Sequence, residues 1–161
     1  MNQNGNARAS VVIVDDEPMV ITSIKAFLQM ETDYDLHGFS NPEEAAQFVV
    51  KTPVDVAVSD YLMPKMNGIQ LLGRVKELQP EASRVLLTGH ADKQSAIQAI
   101  NQVALFQYLE KPWDNAQLLL VIRSGVERAR LFRDLREKVD ELDSAHSSLK
   151  NVQKRILQAF L

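Results

Sequence analysis

Val54-Asp55-Val56-Ala57-Val58-Ser59-Asp60 is a short apolar run that ends on an acid. It is rich in β-branched residues and too short for a helix, which marks a strand buried on both faces, as in a parallel sheet covered by helices. The chain repeats the design. Val11-Val12-Ile13-Val14 runs into Asp15-Asp16, a strand near 83–88 ends at Thr88, and one near 106–109 runs into Lys111-Pro112. Counting Asp35 to Phe39, strands fall near 11–15, 35–39, 54–59, 83–88 and 106–109.

Amphipathic stretches fill the intervals. Asn41-Pro42-Glu43-Glu44 offers an N-cap, a proline at the first helical position and a capping-box acid, and Asp114 with Gln117 repeats the logic before the last helix. Between them, Ile69 to Leu78 is stopped by Pro80, and Lys93 to Gln102 forms the next helix. This alternation predicts an α/β fold: a flavodoxin-like, doubly wound, five-stranded parallel sheet of order 2-1-3-4-5 with five helices. Strands one and three then flank the switch point, where such folds bind ligands beyond the carboxyl ends of the strands. Asp15, Asp16 and Asp60 become neighbours there, joined by Thr88 and Lys111. Clustered carboxylates need a cation, and with a hydroxyl and an ammonium beside them they point to phosphoryl chemistry on a carboxylate.

Taken singly, each residue has a plainer reading. Asp15-Asp16 could cap a helix, Asp60 could be a turn acid, Thr88 a strand residue and Lys111 a snorkelling edge charge. Their placement at successive strand ends decides between the readings. Asp15-Asp16, Asp60 with Met63-Pro64 and Asn67-Gly68, Thr88-Gly89, Tyr108 and Lys111-Pro112 together resemble the receiver domain of two-component response regulators, over roughly Ser10 to Arg130.

That resemblance implies that Asp60 is the phosphoacceptor, fed by a histidine kinase or phosphotransfer protein. It implies Mg2+ held by Asp16 and Asp60, by Asp15 through water and by the carbonyl of Leu62. Lys111 and Thr88 would contact the phosphoryl oxygens, the Lys111-Pro112 peptide would be cis, and Tyr108 would follow phosphorylation with Thr88 as the switch. His90, two residues after Thr88, would tune access to the pocket. Such a chain is no enzyme beyond its own phosphoryl transfer and dephosphorylation. An aspartyl phosphatase usually has a second aspartate two residues after the nucleophile, where this chain has Leu62. The alternative for the parent protein is an HD-GYP type cyclic di-GMP phosphodiesterase or a cyclase. Val103-Ala104-Leu105 lacks the glycine often found before the last strand of the family.

From Asp114 to Leu161 there is no proline and one glycine, Gly125, so a helix of about 70 Å is possible at ~1.5 Å per residue. Phe132, Leu135, Val139 and Leu142 recur in alternating steps of three and four, which is a coiled-coil seam. Continued, that register places His146 and Gln153 on the seam, whereas Ala145, Leu149, Val152 and Ile156 suggest a displaced one, with a slip near 142–149. A parallel homodimer is the expected partner arrangement. The organisation expected is a disordered leader at 1–9, a receiver at 10–130 and a coiled-coil linker helix at 131–161 leading to an output domain.

Composition sets outer bounds. A net charge of −3 gives no electrostatic footprint for nucleic acid, so no direct nucleic-acid binding is expected. The absence of cysteine excludes disulfides and thiolate metal sites. His37, His90 and His146 have no metal-ligand spacing. No signal peptide or membrane span is visible, and a cytoplasmic protein is expected.

Overall fold

A computed structural model describes residues 7–160. Its elements are β1 (Ser10–Val14), α1 (Pro18–Glu31), β2 (Asp35–Phe39), α2 (Pro42–Lys51), β3 (Val56–Asp60), α3 (Gly68–Leu78), β4 (Ser83–Thr88), α4 (Lys93–Gln102), β5 (Gln107–Glu110) and α5 (Asn115–Phe160), with a short 3-10 turn at His90–Asp92. The strands form one parallel sheet in the order β2-β1-β3-β4-β5, as the sequence predicts.

Alternation along the strands sends successive side chains to opposite faces. Val12, Val14, Ala57 and Leu86 face one layer, where Leu71, Leu72 and Val75 of α3 and Ala96 of α4 are buried. Val11, Ile13, Val58 and Leu87 face the other, against Ile24 and Leu28 of α1 and Leu118 and Ile122 of α5. β1 and β3 are fully covered, which is why they read as continuous apolar runs.

Several boundaries and caps differ from expectation. Of the leader expected at 1–9, residues 1–6 lie outside the described residues. Ala9 is buried, and its carbonyl accepts the Asp35 N–H at 2.8 Å, so the packed fold already includes it. β3 starts at Val56, because the N–H of Val54 turns aside to Gln79 Oε1 at 2.8 Å. Asn41 caps α2 through the Glu43 N–H, without a capping box from Glu44. The reciprocal box sits on α3, where Asn67 Oδ1 accepts the Gln70 N–H at 2.8 Å and Gln70 Oε1 accepts the Asn67 N–H at 3.0 Å. α5 runs unbroken through 142–149, so the slip inferred there leaves no mark on the helix.

By contacts the chain divides into two units, Met1–Ala129 and Arg130–Leu161. In the second, the seam side chains are exposed: Leu142 is 69% and Leu149 63% accessible. No helix among the described residues is long and apolar enough to cross a membrane.

Candidate functional site at the carboxyl edge of the sheet

The register of the central strands builds the site. β1 and β3 pair Val14 with Ser59, and β3 and β4 pair Asp60 with Leu87, so the loop after β1, the end of β3 and the end of β4 meet at one edge. Asp15, Asp16 and Asp60 each offer a carboxylate oxygen there, all within 4.8 Å of one another. Asp15 and Asp60 are buried and Asp16 is exposed. Lys111 arrives from beyond β5 and places Nζ 3.1 Å from Asp15 Oδ2 and 3.1 Å from Asp60 Oδ1. The Lys111-Pro112 peptide is cis. Asp15 is fixed from its other side too, since Oδ1 accepts the Glu17 N–H at 2.9 Å, combining a helix-start role with its place in the cluster.

These contacts leave the acids under-compensated. Burial, the largest influence, pushes the Asp60 carboxyl above its ordinary value; the Lys111 bond pulls it down and the Asp15 charge pushes it up again. For Lys111, burial alone would lower the ammonium, but its bonds to Asp60 and Asp15 hold it above its ordinary value. Within the cluster, three carboxylates face one ammonium. An all-oxygen donor set with surplus negative charge suits a hard divalent cation such as magnesium.

Around the cluster, Thr88 is buried, and its hydroxyl donates a long 3.4 Å bond to the Leu109 carbonyl. Tyr108 is half-buried against the α3 layer, and the Leu62 side chain is 60% exposed in the β3–α3 loop. Gly68 opens α3 so tightly against β3 that an added Cβ would land on the Asp60 carbonyl oxygen.

Some of the arrangement was not visible in the sequence. His90 Nδ1 lies 2.6 Å from Glu110 Oε1, tying the turn after β4 to the end of β5, and this bond holds the Glu110 carboxyl below its ordinary value. At the opposite edge, buried Arg84 donates to the carbonyls of Pro80, Ala82, Val103 and Ala104, at 3.2, 2.9, 2.9 and 3.2 Å. It thereby caps the C-terminal end of α4. Basic residues in β-strands are usually exposed, so only their position within a run as apolar as Val85-Leu86-Leu87 could have hinted at burial.

The fold and its edge define a flavodoxin-like α/β protein with a cluster of three carboxylates and one ammonium at the carboxyl ends of its strands. The model of the response regulator receiver domain matches residues 11–123, and the chain belongs to that family. The hydrogenase transcriptional regulatory protein HoxA of Cupriavidus necator is 30% identical over 128 residues, 80% of this chain and 26% of HoxA. The C4-dicarboxylate transport transcriptional regulatory protein DctD of Pseudomonas aeruginosa is 31% identical over 152 residues, 89% of this chain and 31% of DctD. The crystal structure of the signal receiver domain of an HD domain-containing protein from Pseudomonas fluorescens Pf-5 aligns with a TM-score of 0.72 and 31% identity, covering 77% of this chain and 98% of that one. The chain thus spans about a quarter to a third of those two curated relatives. It carries a receiver domain homologous to those of two-component response regulators.

Proposed function

We propose that Asp60 is the phosphoacceptor of this receiver, taking a phosphoryl group from a histidine kinase or phosphotransfer protein. The observation that carries the reading is the Lys111 ammonium, 3.1 Å from both Asp15 and Asp60, where β1, β3 and β5 end. A carboxylate oxygen of Asp60 attacks phosphorus, a P–O bond forms as the P–N bond of the phosphohistidine breaks, and the imidazole leaves with the electron pair. Asp15, Asp16, Asp60 and the Leu62 carbonyl would hold magnesium, which when bound supplies positive charge against the phosphoryl oxygens. Lys111 supplies the protein's own positive charge, and the acids on either side hold it in place.

Thr88 and Tyr108 carry the response. The long Thr88 bond to Leu109 is easily exchanged for one to a phosphoryl oxygen, and moving the hydroxyl frees space toward which half-buried Tyr108 can turn. The receiver comprises residues 10–130 and the linker helix 131–161, through which two copies pair. Both curated relatives are transcriptional regulatory proteins by name, which favours a transcriptional output over an HD-GYP phosphodiesterase or a cyclase. With a net charge of −3, this chain leaves DNA contact to another domain. The working compartment is the cytoplasm, where the kinase partner presents its phosphohistidine.

Incubation with a small phosphodonor and magnesium, followed by intact-mass measurement, tests the assignment. One phosphoryl adduct is expected, lost in excess chelator and in Asp60→Asn. An adduct that persists in Asp60→Asn overturns it.

A further inference from the structure

Thr88 closes β4 at the carboxyl edge of the sheet, and Ser83 and Arg84 open it about 16 Å away, at ~3.3 Å per residue. All three are buried. Alternation sends Ser83 toward the α5 layer with Val85 and Leu87, and Arg84 toward the α4 layer with Leu86 and Thr88. Each of the two opening residues takes hold of a helix by its main chain.

Ser83 Oγ donates to the Gly125 carbonyl of α5 at 2.7 Å. A Cβ added at Gly125 would lie 3.3 Å from Ser83 Cβ and 3.1 Å from Val56 Cγ2, so α5 settles closer to β3 and β4 there than a larger residue would readily allow. Arg123 Nη2 adds a second tie, donating at 3.0 Å to the Glu31 carbonyl at the end of α1. Arg84 serves the other helix. Its side chain reaches the carbonyls of Val103 and Ala104, and its own carbonyl accepts the Phe106 N–H at 2.8 Å, so side chain and main chain together hold the segment that leaves α4.

The start of α4 is held differently. Asp92 stands at its N-cap without a side-chain bond to the helix, whereas Asn67 closes a full capping box on α3. The buried residues of α4 are Ala96 and Ala99, while Ile97 and Ile100 are 49% and 38% exposed, so little apolar area resists its displacement. The turn before it is tied to β5 through His90 and Glu110 at the surface, where a charged pair contributes little.

Resting on phosphoryl uptake at Asp60, we infer that Ser83 and Arg84 are the positioning residues of the response: they clamp α5 and the C-terminal end of α4 to β4, so the turn at His90–Asp92 and the first half of α4 swing while α5 stays in place. Thr88, drawn toward a phosphoryl oxygen, carries Gly89 and that turn with it. The displacement ends where the carbonyls of Val103 and Ala104 meet the Arg84 guanidinium, which makes Arg84 the hinge.

Hydrogen exchange of the full chain, followed by mass spectrometry with and without magnesium and beryllofluoride as a mimic of the acyl phosphate, tests this. Protection should change by about three- to tenfold across residues 89–98 and stay constant across 103–106 and 121–129. Ser83→Ala removes one hydroxyl from the end of β4 remote from Asp60. It should leave the rate of phosphoryl uptake unchanged, while the mimic now alters exchange across 121–129 by about threefold or more. Arg84→Lys, whose single ammonium cannot serve four carbonyls, should spread the change into 103–106. Variants that exchange faster by one factor with and without the mimic show bonds that are structural only, and overturn the inference. So does a wild-type chain in which 121–129 changes as much as 89–98 although Asp60 gains its phosphoryl group. If intact mass shows no adduct at Asp60 in the same preparations, the acceptor reading falls and the inference with it.

Discussion

Gly68 and Gly73 lie on the same helix, yet alanine should act on them in opposite directions. At Gly68 the new methyl would fall on the Asp60 carbonyl oxygen, 3.0 Å from its carbon and 2.9 Å from Leu86 Cδ1. Two of those contacts are backbone, so relief requires the start of α3 or the end of β3 to shift by on the order of 1 Å, and overpacking of this kind costs about 1–3 kcal/mol or more. Helix propensity returns little at the first helical residue, so a net loss of about 2–3 kcal/mol is expected. At Gly73 the methyl meets only Val103 Cγ1, at an ordinary 3.8 Å. There alanine should stabilise by about 0.5–1 kcal/mol. Urea unfolding of both variants gives the comparison, with phosphoryl uptake measured where each is folded. Gly68→Ala should also slow uptake, because the displaced carbonyl belongs to the acceptor residue. A Gly68→Ala protein as stable as the wild type would refute the close approach of α3 to β3.

Other residues give sharp expectations. The native state raises the Asp60 carboxyl above 3.8, so it binds a proton more readily than the unfolded chain does, and the group's contribution to stability falls as pH rises through that interval. Asp60→Asn should therefore melt above the wild type at neutral pH, an advantage that disappears below the ordinary carboxylate range; equal melting at all pH values contradicts the electrostatic picture. Arg84→Met leaves the carbonyls of Pro80, Ala82, Val103 and Ala104 without their donor, and should cost about 2–4 kcal/mol, with faster amide exchange at Leu105 and Phe106. Ala104 has φ 47°, a left-handed conformation, so Ala104→Gly should stabilise by about 0.5–1 kcal/mol in the same unfolding assay.

Those last two residues show where the sequence was silent. The strands, their order and the meeting of Asp15, Asp60, Thr88 and Lys111 were legible because strands covered on both faces read as short, continuous β-branched runs and their alternation with amphipathic helices sets the parallel topology. The departure at Ala104 was visible as a missing glycine, but the strain became evident only from the backbone angle. Arg84 was invisible because its partners are main-chain carbonyls, which leave no residue-type signature. The His90–Glu110 pair was hidden for a related reason. Its members are twenty positions apart, and only the β4–β5 pairing that sets Thr88 opposite Glu110 brings them within reach. In the tail, the seam through Phe132, Leu135, Val139 and Leu142 and the displaced one through Ala145, Leu149, Val152 and Ile156 both lie on one unbroken helix, since a change of seam needs no break in the backbone.

The most direct test of the central claim is chemical mapping of the acyl phosphate. Treating the phosphodonor-modified chain with borohydride converts a phosphorylated aspartate to homoserine, and peptide sequencing by mass spectrometry then locates it. The account predicts homoserine at position 60 alone, formed only when magnesium was present during modification. Homoserine at position 15 or 16, or an unaltered position 60 in a chain that had gained a phosphoryl group, would contradict it.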